Sequence, residues 1–275
     1  MATSVLGLKT FAASDPVDYN EVNDNYTKID NGVKTAMQGR AAQNIFDNSN
    51  FLINQRGQTS YTANGYTVDR WSIYKWSNDS SISINLSVNA DGVNLSGGVS
   101  TASTPSSCYL CQKIDCSRIA GKTLTAAVYI DSLSGAGTGI IGAYNNSTHI
   151  KSANLQVGMN LLVFDVPTSA TVLMIKIGND ASFAGRGSIT ASIKWAALYE
   201  GSYTADTLPA YVPKGYAEEM AECQQRFHVY ATENARPSDA LDCCPPMILA
   251  PGQTVITQGT MTVDGKTLYY NSTDL

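Results

Sequence analysis

The chain has 275 residues, of which only 15% are charged, and a formal net charge of −5. That balance excludes the basic stripe of a nucleic-acid binder. The absence of any apolar run near 18 residues excludes a spanning helix, and MATSVLGLKTFAASDP carries no charged-then-apolar leader.

The first regular signal lies at 19–36. Tyr19, Val22, Tyr26, Ile29, Val33 and Ala36 are spaced 3-4-3-4-3, which is an a/d heptad seam. The residues between them are Asn, Asp, Glu, Lys and Thr, so the remaining helix surface is wet. Two readings stand: a helix packed on its own domain, or a short coiled coil between identical chains. The narrow stripe and terminal position favour the coiled coil.

From about residue 44 to 200 the period changes to two. Ile82, Ile84, Leu86 and Val88 alternate with Ser and Asn, and Leu124, Ala126, Val128 and Ile130 repeat the pattern. MNLLVFDV (159–166) and TVLMIKI (171–177) read as central strands, and ASIKWAALYE (191–200) closes the series. Asn64-Gly65, between YTA and YTV, predicts a hairpin. Many short strands separated by turn signals predict an antiparallel β-sandwich, specifically a jelly roll.

Within this stretch WSIYKW (71–76) is the binding candidate. Alternation turns Trp71 and Ile73 towards the core, and Tyr74 and Trp76 outwards as two aromatic plates about 7 Å apart. Such plates can stack on sugar rings, or be covered by another chain or sheet. GTGIIG (137–142) matches a dinucleotide fingerprint, but AYNNSTHIK after it has no helical stripe, so a strand connection is expected and no cofactor.

Helical period returns after Pro213. Tyr216, Met220, Cys223 and Phe227 fall on one stripe, predicting a helix over 215–227 with Glu218 and Glu219 in its first turn and Glu222 pairing with Arg226. ITQGTMTV and KTLYYN flank Asp264-Gly265, a second hairpin candidate. Cys108 and Cys111 could join Cys243 and Cys244 as a zinc site, against the simpler reading of free thiols with Cys223 in the core. His149 and His228 stand in no metal or catalytic spacing, and no nucleophile, zinc or phosphate-loop motif occurs.

Four stretches together resemble one family. LGLKTFAASDPVDYNEVNDNYTKID is similar to the virion-attachment segment of tailed-bacteriophage fibre and receptor-binding structural proteins. NIFDNSNFLINQRGQTSYTANGYTVDRW resembles the first strands of their carbohydrate-binding-module-like jelly roll. WAALYEGSYTADTLPAYVPKGYAEEMAECQQRF resembles the motif that ends it, and LYYNSTDL the end of such chains. The resemblance implies a mainly β protein. An extended arm and coiled-coil helix occupy 1–43, the jelly roll 44–201, and a linker, helix and small β element 202–275. It implies a homotrimeric tail or head fibre that is not an enzyme, made in the bacterial host cytoplasm and resident in the virion. Residues 1–43 would bind a tail, baseplate or capsid protein, and the outer parts a host cell-surface glycan, with no nucleic acid and no membrane insertion. Two alternatives are a virion-associated polysaccharide depolymerase and a fibre or decoration protein without a ligand. Related jelly rolls place an acidic residue after the first-strand Phe at a calcium site. Here Leu52 follows Phe51, so no calcium is expected.

Overall fold

A computed structural model describes residues 18–41, 43–76, 82–98, 107–180, 187–230, 257–263 and 266–272. The chain divides into two compact units, Met1–Gln43 and Asn44–Leu275.

In the first unit one helix, α1, spans Tyr19–Ala41, beyond the expected end at residue 36. Asp18 caps it, its carboxylate accepting the Asn20 N–H at 2.9 Å. Glu21 in the first turn suits the positive helix end. An Asp24–Lys28 pair at 2.6 Å adds little, because both side chains are well exposed. Three seam positions are wet in the single chain, with Tyr19 77%, Tyr26 67% and Ile29 40% exposed, and Val22 is half-buried. The Val33 and Ala36 side chains, and the arm before residue 18, lie outside the described residues.

The second unit is a sandwich of two six-stranded antiparallel sheets. The first comprises β1 (Ser60–Tyr61), β4 (Ser83–Asn89), β5 (Gly92–Gly98), β12 (Ser188–Glu200), β7 (Thr123–Ser134) and β10 (Gly158–Asp165), in that order. The second comprises β2 (Gly65–Tyr66), β3 (Ser72–Trp76), β6 (Ser107–Asp115), β11 (Val172–Asp180), β8 (Gly139–Asn145) and β9 (Thr148–Asn154). The expected alternation builds the core. Ile84 and Leu86 of β4 and Leu124, Val128 and Ile130 of β7 point inwards against Leu110 of β6 and Leu173, Ile175 and Ile177 of β11. Each such side chain stabilises by about 1.5–3 kcal/mol. Trp71 closes one end, its ring 5.2 Å from Phe46 and 5.0 Å from Phe51, and its indole N–H donates to the Asn48 carbonyl at 2.9 Å.

Several local expectations change. Asn64-Gly65 makes no hairpin, because β1 pairs with β4 in one sheet and β2 with β3 in the other. The Asn64 amide instead accepts from the Lys75 N–H and donates to its carbonyl, a side-chain substitute for a strand pair. MNLLVFDV forms the edge strand β10, whereas TVLMIKI forms the central strand β11. GTGIIG runs into β8 with no helix behind it.

After β12 the chain crosses the outer face of the first sheet. Thr125 Oγ1 donates to the Gly201 carbonyl and accepts from the Tyr203 N–H. Tyr211 then stacks on Trp195 at 4.2 Å and 2°, and its hydroxyl lies 2.9 Å from Ser49 Oγ. Burial pushes the Tyr211 phenol up to about 12, against that hydrogen bond. Ala127 and Ala197, small residues on this outer face, are fully enclosed.

Helix α2 spans Tyr216–Gln224, shorter than the expected 215–227, and Phe227 instead opens strand β13 (Phe227–Tyr230). Its buried face also differs: Cys223 is enclosed as expected, but Tyr216 is 63% exposed and Glu219 is buried. The cause is the surface beneath, which is polar backbone: Glu219 accepts the Asn48 N–H there. Glu222 pairs with Lys214. β13 then joins β15 (Lys266–Ser272) and β14 (Thr257–Val263) in a three-stranded sheet. Val263 stands opposite Lys266, while Asp264-Gly265 between them lies outside the described residues. Gln55 ties this sheet to the sandwich, donating to the Phe227 carbonyl at 2.6 Å and accepting the Val229 N–H at 3.3 Å. Arg56 lies 3.6 Å over the Phe227 ring and pairs with buried Asp69 at 3.2 Å. Burial raises the Asp69 carboxyl to about 6, with Arg56 opposing.

Cys108, Cys111, Cys116 and Cys223 are buried free thiols. Burial raises all four, Cys108 to about 11. The zinc reading fails for the first pair. Three residues apart on one strand, Cys108 faces the core and Cys111 the other side of β6. Cys243 and Cys244 lie outside the described residues.

Candidate functional site

The outer face of the second sheet is open. It forms a groove of about 880 Å³. Its position follows from register. Trp76, Tyr74 and Ser72 of β3 stand opposite Ser107, Tyr109 and Cys111 of β6, and Lys176 of β11 stands opposite both Cys111 and Gly142 of β8. Same-face side chains from four adjacent strands therefore share one surface.

Tyr74 is 41% and Trp76 50% exposed, on the face opposite enclosed Trp71 and Ile73. Tyr109 lies beside Tyr74, ring centroids 5.7 Å apart and tilted by 33°. Lys176 is itself mostly buried, its ammonium 3.7 Å from the Tyr144 centroid and 4.3 Å from that of Tyr109. That contact holds both rings in place. Two glycines keep the floor low. A Cβ on Gly142 would meet the Tyr144 ring at 2.8 Å. At Gly178, with φ +154°, a Cβ would meet the Cys108 carbonyl at 2.4 Å, so β6 approaches closely enough to lay Tyr109 over the groove.

Lys113, Asn146 and Ser147 complete the polar lining, and among the described residues no carboxylate lines the groove. Cys111 also reaches it, but its thiol is raised by burial and lies 3.2 Å from Ser72 Oγ. His149 packs edge-on to Tyr144 at 5.3 Å, with Nε2 3.2 Å from Ser152 Oγ. The groove can stack, hydrogen-bond and attract; it holds no described acid–base pair.

Carboxylates do converge elsewhere. Oxygens of Asp47, Glu219 and Glu222 lie within 4.8 Å of one another. Each has a partner, Arg70 at 2.7 Å for Asp47, the Asn48 N–H for Glu219 and Lys214 for Glu222. Burial raises the Glu219 carboxyl, against the Asn48 bond. The cluster fastens α2 to the 47–49 loop. Leu52, where an acidic residue would mark a calcium site, is exposed.

Alternation along β3 points to Tyr74 and Trp76 but not to Tyr109, Tyr144, Lys113 and Lys176. Each of these four alternates on its own strand; their adjacency depends on pairings between strands distant in the chain. The seam residues Tyr19, Val22, Tyr26 and Ile29 belong to the first unit.

By sequence, the chain matches no known protein family and no curated protein. By structure it is similar to the enzymatically active domain of tailspike protein 4 from bacteriophage CBA120, with 14% identity over 57% of this chain and a TM-score of 0.35. The likeness spans only 21% of that tailspike chain. The module CBM4 gives 13% identity, 56% coverage here, 99% there and a TM-score of 0.36. TmCBM61, in complex with beta-1,4-galactotriose, gives 7%, 58%, 99% and 0.33.

Proposed function

We propose that the second unit binds a glycan chain along the open face of β3, β6 and β11, and that the protein is a non-catalytic fibre of a tailed-phage virion. One observation carries the binding reading. Tyr74 and Trp76 stay 41% and 50% exposed side by side, while Trp71 is wholly enclosed and Trp195 is covered by Tyr211. Aromatic faces left in water on a groove floor suit the apolar faces of sugar rings. With no described carboxylate in the lining, the groove is read as holding a polysaccharide without cleaving it.

The fibre reading rests on the resemblance of the four quoted stretches and on α1. Its seam, wet in the single chain, would be covered by like helices, giving a trimer whose several weak sites act together. Residues 1–43 would attach the trimer to a tail, baseplate or capsid protein of a particle assembled in the host cytoplasm.

Both halves are testable. Trp76→Ala should weaken binding to host cell-wall polysaccharide by about tenfold, roughly 1.4 kcal/mol, and leave the thermal midpoint unchanged. Titration calorimetry showing equal affinity would remove the groove from the account. In sedimentation the intact chain should run as a trimer, and Tyr26→Asp with Ile29→Asp as a monomer. A wild-type monomer at micromolar concentration would end the fibre reading.

A further inference from the structure

We infer that the ligand of this groove is an acidic glycan, its anionic group seated at Lys113 and Lys176; the inference rests on the glycan reading above. Register sets the argument. Lys176 stands opposite Cys111, and Lys113, two residues on, stands opposite Met174. The two lysines are thus diagonal neighbours on one sheet face, about 7–8 Å apart at their Cα atoms. Like charges so placed repel, and an anion seated between them relieves the repulsion.

The groove lining contains both lysines and, among the described residues, no carboxylate. The next same-face acid on β6, Asp115, lies beyond the lining and accepts the Ser117 N–H at 2.6 Å. General basicity does not explain the patch, because the chain carries 23 acidic residues against 18 basic ones. Lys176 is also mostly buried between two rings. A charge in that setting is screened less than an exposed one, so it attracts a bound anion more strongly.

Position along the strands gives the ligand a polarity. Trp76 stands at the Ser107 end of β6, Tyr74 opposite Tyr109, Lys176 opposite Cys111, and Lys113 with Asn146 and Ser147 at the far end, about 20 Å from Trp76. Sugar faces would rest on the aromatic end while the charged substituent reaches the lysine end. A uronic-type carboxylate and a phosphodiester both satisfy this chemistry.

Titration of the intact chain with length-matched probes separates the cases: a neutral oligogalactoside, an oligogalacturonate, a glycerol-phosphate-substituted oligosaccharide and sugar-free polyglutamate, each at 20 and 500 mM NaCl. One sugar-bearing anion should bind about fivefold tighter than the neutral probe at low salt, and the advantage should shrink at high salt. Which anion wins identifies carboxylate or phosphate. Lys113→Gln, at an exposed position, should remove the preference without changing the melting point; Lys176→Met, checked for folding by circular dichroism, should do the same. Neutral and acidic probes binding equally, or polyglutamate matching them, would overturn the acidic assignment and leave the aromatic groove standing. Failure of every sugar probe, with Trp76→Ala indistinguishable from wild type, would overturn both readings.

Discussion

The two outer faces of the sandwich use the same aromatic residues to opposite ends. On the first sheet Tyr129 stacks on Trp195 at 6.0 Å, Trp195 stacks on Tyr211 at 4.2 Å, and the 201–211 segment seals Ala127 and Ala197 beneath it. On the second sheet Tyr74 meets Tyr109, but no described segment crosses above, and Trp76 remains half in water. A tryptophan's role is thus set by what the chain does afterwards. Beyond β12 the polypeptide folds back over Trp195 as far as Tyr211, whereas the strand that follows β3, β4, belongs to the other sheet. One face has its aromatic rings covered by the chain; the other keeps two of them in water.

Two substitutions sharpen that contrast. Trp195→Ala should cost about 2–3 kcal/mol of unfolding free energy in urea, because the ring is sandwiched between Tyr129 and Tyr211, while polysaccharide affinity stays unchanged. A loss comparable to that of Trp76→Ala, near zero, would mean that the covered face is as dispensable as the open one. Tyr211→Phe keeps the stack and removes only the hydroxyl contact with Ser49. The expected cost is about 1 kcal/mol, read from the same urea midpoint. A cost equal to that of Trp195→Ala would transfer the stabilisation from the ring stack to the hydrogen bond.

Alternation makes the sandwich legible in the order of the residues alone. The inward set of Ile84, Leu86, Leu124, Val128 and Ile130 and the inward Trp71 are all readable, because a period of two is a local property. Sheet membership is not. Asn64-Gly65 has the chemistry of a tight hairpin, yet its flanking strands belong to different sheets, a choice made by partners such as Leu86 opposite Tyr61. The α2 stripe misleads for a related reason. Its period identifies a helix, but Glu219 rather than Tyr216 is buried, since the loop beneath offers the Asn48 N–H. In the groove, Tyr74 and Trp76 are readable as a face, and Tyr109 and Lys176 only as members of other faces.

The enclosed sulfurs have a consequence for durability. A thiol that keeps its proton in mildly alkaline medium is a poor nucleophile and a slow target for peroxide or disulfide exchange. Cys108, Cys111, Cys116 and Cys223 are all shielded in this way. Oxidation of these four side chains should therefore be slow while the fold around each one stays closed.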